Sequence, residues 1–293
     1  GPADYLLADA GAPLAVAEAK KLSLGPRNAL TQAIRYSESL RDSPFDHDGR
    51  RVPFGYSTNG EKIYFQDLRR MNSYSRLVSG FHTPSALREY LERDDEAAHD
   101  WLRTHPNDHP RIRAYQREAT AAIEAALGEN KRQMLVAMAT GTGKTFTIAS
   151  EIYRLMKSGL ARRVLFLVDR RALAAQAVAT LAAFEPEPGL KFDQIYEVYS
   201  QRFKREDFDE KEKFDPKVLP TKYLTDPQPG HAFVYVCTIQ RMGINLFGWE
   251  NAFESTSSEP DDESDAAELD IPIHAFDLVI ADECHRGYTA AEI

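Results

Sequence analysis

The chain has 293 residues, 43% of them apolar and 28% charged, which excludes wholesale disorder and collagen-like repeats and leaves room for about two domains. No apolar run approaches the ~18 residues a membrane span needs, and two cysteines, Cys237 and Cys284, exclude a disulfide framework, so a reduced, cytoplasmic protein with no membrane partner is expected. The net charge of −9 excludes nothing about nucleic acid: residues 254–270 hold eight acids and no base, and without them the chain carries −1.

The sequence opens on Gly1, close to a strand-like run, and stops at Ile293 without a capping signal, so an internal piece of a longer protein is expected. Leu6-Leu7 and Leu14–Ala17 flank a turn at 11–13 and predict two strands. Glu18 and Lys20 are two residues apart and project from one strand face, where Asp4 on the neighbouring strand can meet Glu18. Two carboxylates suit a hard divalent cation, and a lysine beside them suits charge developing on a phosphate; a plain polar strand face has the same composition. A helix from Pro26 to about Arg41 follows, with Gln32 and Tyr36 at i and i+4 on one face. Val52–Ser57 and Lys62–Phe65 flank Asn59-Gly60, a type I′ hairpin signal. Asp46-His47-Asp48-Gly49 reads as a polar turn. Thr83-Pro84 opens one charged helix to about Arg103, and His105–Pro110 marks a domain boundary.

From Arg111 the pattern alternates. A helix over Gln116–Leu127 leads to a buried strand at Met134–Met138 and a second helix from Gly143. A strand at Val164–Val168, a helix at Leu173–Ala183, and strands at Phe233–Cys237 and Phe276–Ala281 complete an α/β domain with a parallel sheet. Two insertions interrupt it. Residues 203–217, with five bases and six acids, read as a solvated helix or loop, and 254–270 as a disordered loop of little consequence for stability.

Between the expected strand and helix stands Met138-Ala139-Thr140-Gly141-Thr142-Gly143-Lys144-Thr145. Glycines there let successive backbone N–H groups face a phosphate at a helix N-terminus. Lys144 is placed to reach the β and γ phosphates of ATP, and Thr145 to ligate Mg²⁺, although Met138 stands where the general pattern has a first glycine. Downstream, the apolar strand ends in Asp282-Glu283, at the sheet edge where open parallel sheets bind ligands. Asp282 suits Mg²⁺ and Glu283 suits orienting the attacking water.

This half resembles the first RecA-like domain of a superfamily 2 helicase or translocase. The resemblance puts Gln116 of Arg113-Ala114-Tyr115-Gln116 on the adenine edge, and reads Asp169-Arg170-Arg171 and Thr238–Met242 as strand-tracking motifs and Asp282–His285 as a DExH box. Ala3-Asp4, Glu18-Ala19-Lys20 and Gln32-Ala33-Ile34-Arg35-Tyr36 resemble the PD-(D/E)xK nuclease pattern with its Q-x-x-x-Y helix, with Ala3 in place of the usual proline. A nuclease before a motor resembles the restriction and translocation subunit of type I restriction enzymes. That resemblance implies a truncated restriction-endonuclease-like domain at 1–82, a helical linker at 83–108 and a RecA-like domain, itself truncated, at 109–293. It also implies ATP and Mg²⁺ as cofactors, and double-stranded DNA and methyltransferase and specificity subunits as partners. A superfamily 2 helicase of repair or antiviral defence with a non-cleaving N-terminal module, and a non-catalytic assembly subunit, are the alternatives.

Overall fold

The computed structural model describes residues 3–20, 30–70, 73–203, 216–252 and 263–283. The start expected at Pro26, most of the insertion at 203–217, the first part of the acidic stretch, and Cys284-His285 lie outside them. Packing divides the chain into two units, 1–93 and 94–293, so the stretch 83–108 is shared between them.

The first unit contains β1 (Tyr5–Asp9), β2 (Ala12–Ala19), α1 (Leu30–Ser39), β3 (Phe54–Thr58), β4 (Ile63–Asp67), β5 (Arg76–Val78) and α2 (Pro84–Leu91). Its five strands lie in sequence order, with β2 and β3 parallel and the other neighbours antiparallel. Strand β2 is buried on both faces, which explains its unbroken run of small apolar residues. Leu14 joins Phe54, Tyr56, Phe65 and Leu87 of α2 in one cluster, and Val16 joins Ala33 of α1 and Val52 in another. The hairpin forms, but not through a type I′ turn: Gly60 alone has positive φ (92°), and Asn59 N–H bonds Lys62 O across a two-residue Gly60-Glu61 loop. A glycine at the first central position suits type II′.

The single helix expected from Pro84 to Arg103 is two. The Asp94 side chain accepts from Ala97 N–H at 2.9 Å and starts a new helix, α3 (Asp95–Thr104), with Asp95 and Glu96 favourably placed in its first turn. The second unit continues with α4 (Ala114–Gly128), α5 (Lys144–Ser158), β6 (Arg163–Val168), α6 (Arg171–Ala183) and α7 (Phe192–Ile195). Then come β7 (Glu197–Ser200), β8 (Lys217–Val218), α8 (Thr221–Thr225), β9 (Phe233–Thr238), α9 (Ile239–Ala252) and β10 (Leu278–Ala281). The strands form one sheet in the order β10-β6-β9-β7-β8, and every pair is parallel. Asp277 fixes its first register, its Oδ2 accepting from Arg162 and Arg163 N–H at 3.0 and 2.9 Å just before Leu278 pairs with Val164.

The strand expected at Met134–Met138 is absent from this sheet. A strand exists only through its ladder partners; this run has none among the described residues, and Leu135 is 81% exposed. The described part of the acidic stretch, 263–270, is also not what its composition suggests, because Glu263 and Ala266 are buried and Leu269 N–H bonds Asn245 O. Among the described residues no helix is long and apolar enough to cross a membrane.

Candidate functional site

Because all strands of the second unit run parallel, their C-terminal ends share one edge, and the loops after β6, β7, β9 and β10 all emerge there. Gly141 and Gly143 adopt the left-handed conformation (φ 79° and 80°) just before α5. A Cβ on Gly143 would lie 2.8 Å from Gln116 Nε2, so the loop closes against that side chain only because it has none. Gln116 is buried; its Nε2 donates to Thr142 O (2.9 Å) and Gly143 O (3.3 Å), and its Oε1 accepts from Arg113 N–H (2.9 Å). The residue expected on adenine thus braces the glycine loop before α5. Tyr115 adds a hydroxyl bond to Thr142 O at 2.9 Å. Thr140 and Gly141 are exposed.

Lys144 Nζ donates to Glu283 Oε1, joining the helix start to the end of β10 across 139 residues of sequence. Thr145 follows Lys144 and Asp282 precedes Glu283 in the chain, so the contact joins the two backbone stretches that carry them. Asp282 N–H bonds Leu167 O, and its Oδ1 accepts from Glu283 N–H at 2.9 Å. Glu283 itself has φ 53°, a left-handed conformation costly for a residue with a Cβ and typical of functional sites. Among the described residues no group of three or more His, Cys, Asp or Glu side chains could hold a metal unaided. Thr145 and Asp282 nevertheless fit Mg²⁺, which takes one or two protein oxygens and completes its shell with phosphate and water.

In the first unit, Val16, Glu18 and Lys20 alternate onto the face that α1 covers. Lys20 Nζ donates to Gln32 Oε1 at 2.5 Å and lies 3.6 Å from Glu18 Oε2. Asp4 Oδ2 accepts from Ala19 N–H at 2.7 Å. Burial first, and then the like charge of Asp4, push the Glu18 carboxyl above its ordinary value, with Lys20 opposing. A divalent cation would relieve that repulsion, so the donor set fits one. Asp4, Glu18, Lys20 and Gln32 therefore come together. Tyr36 instead packs on the Val16, Ala33 and Val52 cluster.

One residue has no counterpart among the expected sites. Glu263 is fully buried; its Oε1 accepts from Gln201 Nε2 (2.8 Å) and Thr238 Oγ1 (3.0 Å), and its carboxylate pairs with Arg171 (3.5 Å) and Arg241 (3.3 Å). No local pattern distinguishes it from seven other acids in its stretch.

Residues 1–91 match the family model for the second domain of the type I restriction enzyme EcoKI endonuclease subunit. The chain is 29% identical to the type I restriction enzyme EcoKI endonuclease subunit of Escherichia coli K12, over 98% of this chain and 24% of that protein. It is 30% identical to the type I restriction enzyme EcoAI endonuclease subunit of Escherichia coli, over 57% of this chain and 20% of that protein. UvrABC system protein B of Synechocystis is 43% identical over 79 residues, covering 27% of this chain and 11% of that protein. The chain thus spans about a quarter of the length of the first of these relatives and is homologous to type I restriction endonuclease subunits. Residues 109–292 match a second model, and since that is more than half of the chain, the protein belongs to the family it describes, Type III restriction enzyme, res subunit.

Proposed function

We propose that this chain is the nuclease-and-motor part of a type I restriction endonuclease subunit that moves along double-stranded DNA at the expense of ATP and cuts it. It works with methyltransferase and specificity subunits. The observation that carries the reading is the meeting of Lys144 with Glu283 at the C-terminal edge of a parallel sheet, behind a loop held open by two left-handed glycines.

In this reading the loop N–H groups and Lys144 bind the β and γ phosphates, and Gln116 keeps the loop in shape while facing the base. Thr145 and Asp282 would hold Mg²⁺, which supplies charge neutralisation on the phosphates when bound. Glu283, once Lys144 has turned to phosphate, orients the attacking water. In the first unit Asp4 and Glu18 would hold the second metal site, Lys20 stabilises charge that develops at the scissile phosphate, and Gln32 positions Lys20. Tyr36 fixes the helix that carries Gln32.

Three substitutions in the full-length protein test this. Lys144→Ala should abolish ATP hydrolysis, since it removes the charge on the terminal phosphates. Glu18→Ala and Lys20→Ala should each stop cleavage but leave DNA-stimulated ATPase intact. A second reading, a superfamily 2 DNA helicase with a non-cleaving N-terminal module, draws on the likeness to UvrABC system protein B over 79 residues. It takes over if both first-unit variants cut DNA at the wild-type rate.

A further inference from the structure

Three neighbouring strands, β6, β9 and β7, deliver their following loops to one point, and that point is Glu263. Arg171 begins α6 directly after β6; Thr238 ends β9 and Arg241 stands in the first turn of α9; Gln201 follows β7. All four reach the same buried carboxylate. The contacts interlock further: Gln201 Oε1 accepts from Thr238 N–H at 2.7 Å, and Thr238 Oγ1 accepts from Arg241 N–H at 3.1 Å. Arg171 also donates to Arg202 O at 2.7 Å, and Arg241 to Asp265 at 2.6 Å.

Such a carboxylate is not a loose surface acid competing for bases. It is out of water, and each oxygen has donors. Removing its charge takes one acid from each of two largely buried guanidinium groups, leaving Arg241 with Asp265 and loosening the hold on Arg171. Arg170, one residue before Arg171, is different: its side chain is 70% exposed and contacts only Asp169 among these groups, at 3.5 Å. The Glu263 network therefore fixes the backbone from which Arg170 projects.

We propose that Glu263 is a positioning residue that holds the loops after β6 and β9 in one mutual arrangement, so that Arg170, projecting from the first of them, meets a phosphate of duplex DNA. This rests on the reading of those loops as DNA-tracking. The exposed Arg170 tests that reading separately, because its side chain lies outside the carboxylate's contacts.

The measurement is binding of a fluorescently labelled duplex of random sequence to the full-length protein, across a salt series. Glu263→Gln keeps the shape and removes the charge; it should weaken binding about tenfold and make the slope of log K against log salt shallower by about one phosphate contact. A purely structural role would lower the melting temperature without changing that slope. Glu263→Asp keeps the charge but withdraws the oxygens, and should fall between the two; it serves in place of Glu263→Gln should that variant not fold. Arg170→Ala should weaken binding as well. Wild-type affinity and slope in both Glu263 variants, with Arg170→Ala weakened, overturn the proposal and leave the DNA-tracking reading standing. Wild-type behaviour in all three overturns both. Tighter binding in Glu263→Gln also overturns the proposal, since Glu263 would then compete with DNA for the arginines.

Discussion

Gly143 shows how much one missing side chain can decide. At φ 80°, with Gln116 Nε2 only 2.8 Å from where a Cβ would stand, alanine is opposed by both backbone and neighbour. Gly143→Ala should cost about 1–2 kcal/mol from the backbone alone and, under the proposed function, should weaken nucleotide binding by displacing Gln116; denaturant melts and a fluorescent-nucleotide titration read the two effects. Glu151, on α5, is the converse case, a charge where none is wanted. It is buried, neither oxygen has a hydrogen-bond partner among the described residues, and burial followed by the nearby Glu124 pushes its carboxyl well above the ordinary value of 4.5. The folded chain then binds a proton that the unfolded chain has lost, so between pH 4.5 and its raised folded-state value this group makes stability fall as pH rises, by at most about 1.4 kcal/mol per unit. Glu151→Gln should match the wild type below pH 4.5 and exceed it at pH 8 in urea midpoints.

At the level of elements, the acidic stretch is where composition misleads. Its described part is anchored by Glu263, by Leu269 N–H on Asn245 O, and by Asn245 Nδ2 on Ala267 O at 2.7 Å. Deleting 263–270 should therefore cost about 3–5 kcal/mol, the scale of breaking a buried ion pair, where a solvated loop would cost almost nothing; chemical denaturation distinguishes the two. The parallel sheet was legible because its strands are apolar runs of the right length, and the turn into α5 because Gly141 and Gly143 suit a left-handed backbone. The carboxylate cluster of the first unit was legible too, because strand alternation alone puts Glu18 and Lys20 on one face. Strands β7 and β8 were not, being short and set among charged segments. Nor was the loss of Met134–Met138 from the sheet, since ladder pairing is decided by partners and not by the run itself. Glu263 was beyond reach for a similar reason: its donors lie 22 to 92 residues away in sequence, and nothing near it marks them.

For the molecule as a whole, the two units have separate cores, one around Leu14, Phe54 and Leu87 and the other around Ile152, Phe166 and Val236. Leu14 is 2% exposed, so Leu14→Ala should cost about 2–5 kcal/mol, and calorimetry should show one transition lowered while the other stays in place. The contact between Lys144 and Glu283 has a thermodynamic consequence under the proposed function. The chain carries its own competitor for the lysine, tethered at high effective concentration, and an arriving triphosphate must displace it. Part of the intrinsic affinity is therefore spent before any binding is observed. Glu283→Gln, which keeps the shape and removes the rival charge, should hold ATP more tightly than the wild type even as it loses hydrolysis. Affinity and turnover would move in opposite directions, because the group that helps break the phosphate bond is also the one that keeps its site closed to the substrate.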